Sequence, residues 1–239
     1  MLHDPLAPPN LPPGWPYARR HALAPLGCRE GQELPGLGGG WRVCTPGGEV
    51  PEGEADPLGG AFGRGGVLSA GGSVLRPYRR GGLLRFLNER TYRSSLRFAA
   101  EHAVHRALWE AGFPTVEPLG YAWRPHGWGV EGVFLTRLAE GEPWPHRWDL
   151  SGEVRSALDQ ALEALCAWGL WSPDLNATNV LLTPGGGIAL MDWDRARFVR
   201  GANLRPRYAA RLARSLRKLG APPEVAAYFD RATSPPHPG

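Results

Sequence analysis

The stretch "WSPDLNATNVLL", residues 171–182, sets Asp174 and Asn179 five apart and runs straight into a short apolar segment. Further along, "ALMDWDRAR" (189–197) places Asp192 directly after a second hydrophobic run. Pro184 and three glycines lie between the two runs, so they read as a small β-hairpin. Upstream, "DLSGEVRSALDQALEALCAWG" (149–169) reads as a helix: Ser151 suits its N-cap, and Val154, Leu158, Ala161, Leu162 and Leu165 share one face. The order is helix, loop with Asp174 and Asn179, strand, strand, Asp192.

Working towards the N-terminus, "GVLSA" and "SVLRPY" flank Gly71-Gly72, a hairpin signal. Gly63, Arg64, Gly65 and Gly66 precede that hairpin. Between Ser94 and Gly112, Leu96, Ala99, Ala100, Ala103, Val104, Ala107, Leu108 and Ala111 recur at helical spacing. "VEPLGYAW" and "GVFLTRLAEG" are two more strands, and "WRVCT" (41–45) is a further candidate. Towards the C-terminus, residues 203–230 read as two helices broken at Gly220–Pro223. Strands with one helix, then mainly helices with one small hairpin, predict two lobes joined near residues 139–147. The expected division is a Pro/Gly-rich arm over 1–50, a β-rich N-lobe over 51–141 and a mainly helical C-lobe over 142–239.

Bulk composition sets the limits. The chain has 239 residues, 42% apolar and 21% charged, enough for a sizeable core. No apolar run is long enough to span a bilayer. The prolines of "MLHDPLAPPNLPPGWPYARR" interrupt any secretory core, which predicts a cytoplasmic protein. Cys28, Cys44 and Cys166 are far apart and are expected to be separate thiols. Of 27 basic residues only Lys218 is a lysine. Arginine suits planar contact with phosphate and carboxylate, although codon bias gives the same composition.

Phosphoryl transfer needs a loop over the nucleotide phosphates, a cation on them, metal ligands, and a carboxylate that takes the acceptor's proton. Each part has a candidate, in the order found in protein kinases. Asp174 is placed to be the base. Asn179 and Asp192 are placed to hold Mg²⁺, a hard ion that prefers oxygen. Gly63, Arg64, Gly65 and Gly66 supply the phosphate loop. Protein kinases place a lysine on the third strand; here Arg76 stands there, with Glu101 on the next helix as its expected partner. Asn176 is expected near the acceptor or the γ-phosphate. Asp and Asn are also common turn residues, so the weight rests on the set and its spacing.

Together "GRGG" (63–66), "SVLRPYRRGGLL" (73–84), "GFPTVEPLGY" (112–121), "SPDLNATNVLL" (172–182), "MDWDRARF" (191–198) and "NLRPRYAARLARSLRKL" (203–219) resemble the 3-deoxy-D-manno-octulosonic acid (Kdo) kinases, within the lipopolysaccharide kinase group. The resemblance spans roughly residues 60–220. It implies an α+β, bilobal protein-kinase-like fold and transfer of phosphate from ATP, with Mg²⁺, to a Kdo hydroxyl on a lipid A precursor at the cytoplasmic face of the inner membrane. In that family the third-strand cation is typically arginine, as at Arg76. Three departures stand out: Ser172 where histidine is usual, Trp193 where phenylalanine is usual, and the first 50 residues, which match nothing in the pattern.

Arg76, Arg79, Arg80, Arg85, Arg90, Arg93 and Arg97 fall within 22 residues beside a single acid, Glu89. This run is expected to meet an anionic glycolipid or leaflet, with a solvated basic face as the plainer alternative. No nucleic-acid reading module accompanies it. Two other functions remain open on sequence: a phosphotransferase of the aminoglycoside or choline kinase type, and a pseudokinase that binds without transferring phosphate.

Overall fold

The structure is a computed structural model that describes residues 26–58, 66–79, 90–199 and 203–231. Gly63, Arg64, Gly65, Arg80, Arg85 and Glu89 lie outside these residues. The chain divides into two compact units. One holds the described residues up to Arg106 together with Glu117–Leu138; the other holds Ala107–Val116 and the chain from Ala139 onward.

The first unit is built on a seven-stranded antiparallel sheet. Its strands are β1 (Gly27–Leu34), β2 (Gly38–Thr45), β3 (Asp56–Pro57), β4 (Leu68–Ala70), β5 (Ser73–Pro77), β6 (Pro118–His126) and β7 (Gly129–Arg137), in the order β1-β2-β6-β7-β5-β4-β3. The β4–β5 turn is the one expected, with positive φ at both Gly71 and Gly72, a backbone that glycine adopts at little cost. Side chains alternate across the sheet. Leu75, Val133 and Leu135 join Leu34, Trp41, Val43, Ala70 and Ala122 in one cluster. Phe134 points the other way, into a cluster with Tyr78, Tyr92 and Phe98. Phe98 belongs to α1 (Leu96–Glu110), so α1 covers that second face. The fit there is close: a Cβ on Gly132 would sit 2.4 Å from the Phe98 ring.

Two sequence expectations fail in this unit. Residues 27–45 are a hairpin of the sheet and not part of an arm. β1 is an edge strand with most of its side chains exposed, so it lacks the apolar alternation that marks a half-buried strand. The glycines that suggested an arm shape the hairpin instead: Gly36 in its turn and Gly38 and Gly40 at the start of β2 all have positive φ. The register also pairs Cys28 with Cys44, and the two form a disulfide; among the three cysteines only Cys166 is free. Sixteen residues apart in sequence, they become neighbours only once β1 and β2 pair.

The second unit is mainly helical. Its helices are α2 (Gly152–Ala167), α3 (Leu204–Lys218) and α4 (Pro223–Arg231). Ser151 caps α2, its hydroxyl accepting from the Val154 N–H, and the predicted apolar face of α2 is buried. α3 buries Leu204, Tyr208, Leu212 and Leu216, a strict four-residue stripe, and leaves Arg207, Arg214 and Lys218 exposed. Asp159 ties the helices together, accepting from Arg205 of α3 and Tyr228 of α4. Strands β10 (Val180–Leu182) and β11 (Ile188–Leu190) form the expected hairpin, extended by β8 (Glu142–Pro143). A two-stranded ribbon pairs β9 (Leu170–Trp171) with β12 (Arg197–Phe198). A β-rich unit with one helix followed by a mainly helical unit with a small hairpin is an α+β architecture.

Candidate active site

In the first unit, strand geometry aims Arg76 at α1. Leu75 points into one cluster, so its neighbour Arg76 must leave the opposite face, beside its cross-strand partner Phe134. Glu101 lies three residues after Phe98 on α1, on the same helical face. Arg76 Nη2 donates to Glu101 Oε1 at 2.5 Å, and the Tyr78 hydroxyl donates to Glu101 Oε2 at 2.5 Å. Glu101 is buried, whereas about a third of the Arg76 side chain (32%) is exposed. The Arg76 guanidinium also lies 5.5 Å from the centres of the Tyr78 and Phe134 rings. A buried carboxylate thus orients a cation that keeps access to water. Tyr78 was not among the residues expected from sequence. Of the glycine run only Gly66 is described; its φ is +102°, and a Cβ there would meet Arg79.

In the second unit, the loop after β9 holds Asp174, Asn176 and Asn179. The Asp174 carbonyl accepts from Asn176 Nδ2 at 2.7 Å and from Asn179 Nδ2 at 2.8 Å, which curls the loop on itself. Asn176 Oδ1 accepts from the Thr178 N–H at 2.9 Å, capping the short turn Ala177–Asn179. Both ends of the Asn176 amide therefore serve the loop. Asn179 is carried next to Asp192 by the hairpin register, since its carbonyl accepts from the Met191 N–H at 2.9 Å.

Asp192 has φ +69°, a left-handed conformation uncommon outside glycine. Its neighbours fix it there. Trp193 is buried, and its Nε1 donates to Thr115 Oγ1 at 3.0 Å. Thr115 in turn donates to the Leu190 carbonyl at 2.6 Å. Phe113 packs edge-on to Trp193 at 5.6 Å. The larger ring at 193 thus gains a hydrogen bond that phenylalanine lacks.

The loop is held from behind by one stripe of α3. Tyr208 accepts from the Ser172 N–H at 2.9 Å, Arg211 Nε donates to the Leu175 carbonyl at 3.0 Å, and Ser215 Oγ accepts from the Ala177 N–H at 3.1 Å. Their spacing of three and four puts all three on one face. Ser172 is fully buried, and its hydroxyl has no hydrogen-bond partner among the described residues. The Asp174 carboxylate itself faces arginine: Arg195 donates from Nε to Oδ2 at 2.7 Å and from Nη2 to Oδ1. None of Tyr208, Arg195, Arg211 and Ser215 was singled out from sequence. The signal for three of them was the spacing within "NLRPRYAARLARSLRKL".

Asn179 and Asp192, brought near each other by the backbone bond between Met191 and Asn179, carry a neutral and an anionic oxygen donor, the donor chemistry that suits Mg²⁺. Two such protein ligands are enough for an ion that keeps several waters and phosphate oxygens in its shell. Among the described residues there is no group of three or more His, Cys, Asp or Glu side chains that could hold a metal ion.

A Kdo kinase of Xanthomonas oryzae pv. oryzae (strain PXO99A) is 31% identical over 203 residues, which cover 77% of this chain and 68% of that one. The chain belongs to the 3-deoxy-D-manno-octulosonic acid kinase family. The Kdo kinase of Xylella fastidiosa (strain M12) is 31% identical over 166 residues, or 63% of this chain. The chain spans just under two thirds, 64%, of that relative's length. No family model matches the chain. Among solved structures, WbdD superposes with a TM-score of 0.41 at 13% identity, covering 77% of this chain and 46% of that one.

Proposed function

We propose that this member of the Kdo kinase family transfers the γ-phosphoryl group of ATP to a hydroxyl of a sugar acceptor, most specifically Kdo on a lipid A precursor. The observation that carries the reading is the joint placement of Asp174, Asn179 and Asp192. One loop and one hairpin of a single unit hold all three, with hydrogen bonds to the backbones of Asp174 and Asn179 and with Asp192 directly after Met191, whose N–H pairs with the Asn179 carbonyl.

Asp174 takes the proton of the acceptor hydroxyl as its oxygen attacks the γ-phosphorus; the bond to the β–γ bridging oxygen breaks and ADP leaves. Asn179 and Asp192 would hold Mg²⁺, which would supply neutralisation of charge on the phosphates. Arg76, oriented by Glu101, contacts the phosphates, as does the backbone of the segment 63–66. Asn176 shapes the loop. The first unit serves the nucleotide, and the second supplies the base and metal ligands. The Arg-rich segment 76–97 meets the anionic glycolipid or its leaflet, at about 1 kcal/mol for each basic group near such a surface. No helix among the described residues is long and apolar enough to cross a membrane.

The test is incubation with labelled ATP and an acceptor panel led by a Kdo-bearing lipid A precursor. Label on the Kdo supports the reading; label only on a cationic amino sugar or on choline replaces it. Absence of transfer to every acceptor, with nucleotide binding intact, leaves a pseudokinase. Co-sedimentation with vesicles tests the membrane contact: equal partitioning onto anionic and neutral vesicles removes it.

A further inference from the structure

The Asp174 carboxylate is occupied. Both of its oxygens accept from the fork of Arg195, the planar pairing in which guanidinium and carboxylate match best. A second guanidinium stands behind the first: Arg211 Nη2 lies 4.0 Å from Asp174 Oδ1 while its Nε is fixed on the Leu175 carbonyl. A third, Arg214, follows on the exposed side of α3. Burial lowers the pKa of Arg211; Asp174 opposes that shift, while Arg195 and Arg214 add to it by like-charge repulsion. Two guanidinium groups, those of Arg195 and Arg211, therefore share one carboxylate, with the charge of Arg214 acting on Arg211 behind them.

Two consequences follow. A hydroxyl that is to give its proton to Asp174 must reach the remaining lone pair of an oxygen that Arg195 already holds. Whatever draws Arg195 away must offer it an equivalent anion. The two arginines differ in freedom: the Arg195 side chain is 60% exposed, whereas that of Arg211 is 32% exposed and pinned to the loop backbone. Arg195 is the more exposed of the two and the one an incoming acceptor reaches first.

We infer that Arg195 is an acceptor-specificity residue: it clasps Asp174 while the acceptor is absent and passes to the carboxylate of an incoming sugar acid, with Arg211 as the fixed second contact. This rests on the sugar-kinase reading above and adds to it the chemical group that the acceptor must carry. The exchange keeps one carboxylate on Arg195 throughout and exposes Asp174 only when a sugar acid is in place. A neutral sugar, or water, lacks the anion that opens the base.

The experiment compares the wild type with Arg195→Gln and Arg195→Lys. Each is assayed on a Kdo-bearing lipid A precursor and on its Kdo methyl ester, with melting temperature as the control for folding. The wild type is expected to lose about 30-fold or more in kcat/KM from acid to ester. Arg195→Gln should show nearly equal values on both, lower than the wild type on the acid but higher than the wild type on the ester because nothing then covers Asp174, and Arg195→Lys, with charge but no fork, an intermediate ratio. Equal use of acid and ester by the wild type, or an unchanged ratio in Arg195→Gln, overturns the inference while leaving the kinase reading in place. Calorimetric titration with free Kdo and its methyl ester separates the two if no phosphate is transferred. Acid binding about tenfold tighter than ester, lost in Arg195→Gln, supports the clamp although the kinase reading has failed. Equal binding, or no measurable binding of the acid, overturns it.

Discussion

Tyr208 and Ser172 are joined through the backbone: the Ser172 N–H donates to the Tyr208 hydroxyl at 2.9 Å, and that hydroxyl donates onward to the Leu170 carbonyl at 2.6 Å. Both groups belong to the segment that leads into Asp174, and Tyr208 is fully buried on α3. One phenol therefore completes two backbone groups that the short β9 ribbon leaves open. Tyr208→Phe keeps the ring against Trp171 but strands a buried N–H and a buried carbonyl. We expect a loss of about 2–4 kcal/mol in unfolding free energy by urea titration. Turnover should fall about tenfold as the loop loses its backing. A variant as stable as the wild type would show that water or a shift of the chain completes those groups.

Glu101 is expected to act on nucleotide affinity through Arg76. Glu101→Gln keeps the shape and removes the charge that holds the guanidinium. The KM for ATP should rise about tenfold, with a smaller change in kcat. Because Arg76 is one-third exposed, the stability cost is put at about 1–3 kcal/mol, below that of a fully buried pair. A tenfold fall in kcat at constant KM for ATP would instead place Arg76 at the transferring group.

Much of the local structure around the candidate site was legible in the sequence because its signals are local. The Gly71-Gly72 turn, the capped α2, the β10–β11 hairpin and the five-residue step from Asp174 to Asn179 each depend on neighbours in the chain. The Arg76–Glu101 partnership spans 25 residues, yet alternation along β5 and helical spacing on α1 point to it. What was missed depends on tertiary approach. Arg195 reads as one arginine among many until the chain brings it back to a residue 21 positions earlier. Cys28 and Cys44 read as separate thiols because β1 is a polar edge strand with no periodicity to reveal it.

Charge and backbone conformation can be separated at Asp192. Its φ of +69° suits Asn as well as Asp among residues with a side chain. Asp192→Asn should therefore melt within a few degrees of the wild type. Its Mg²⁺-dependent gain in ATP affinity should fall tenfold or more, since a neutral amide replaces the anionic oxygen. Titrating nucleotide with and without Mg²⁺ reads this directly; an unchanged gain removes Asp192 as a ligand. Asp174→Asn should do the reverse, keeping the Mg²⁺-dependent gain and losing about 10²–10⁴ in turnover.

Acid should weaken the fold through His102. Burial, with Arg106 adding to it, pulls the His102 imidazole down from 6.5 to about 4. The folded protein thus keeps this ring neutral where an unfolded chain takes up a proton. Between pH 6.5 and about 4 the unfolded state binds more protons, so stability falls as pH falls through that window and levels off below it. The full effect is about 3 kcal/mol, of which about 2–3 kcal/mol is reached by roughly pH 4.5. His102 sits among aromatic rings, 6.0 Å from Tyr121 and 6.4 Å from Phe134, and its Nε2 has no hydrogen-bond partner among the described residues. Phenylalanine should fit in its place. In urea unfolding at pH 7.5 and 4.5, the wild type should lose about 2–3 kcal/mol more than His102→Phe, because other acid-sensitive groups are common to both. Parallel losses in the two proteins would mean that His102 is protonated in the fold and that its burial is relieved by motion of α1.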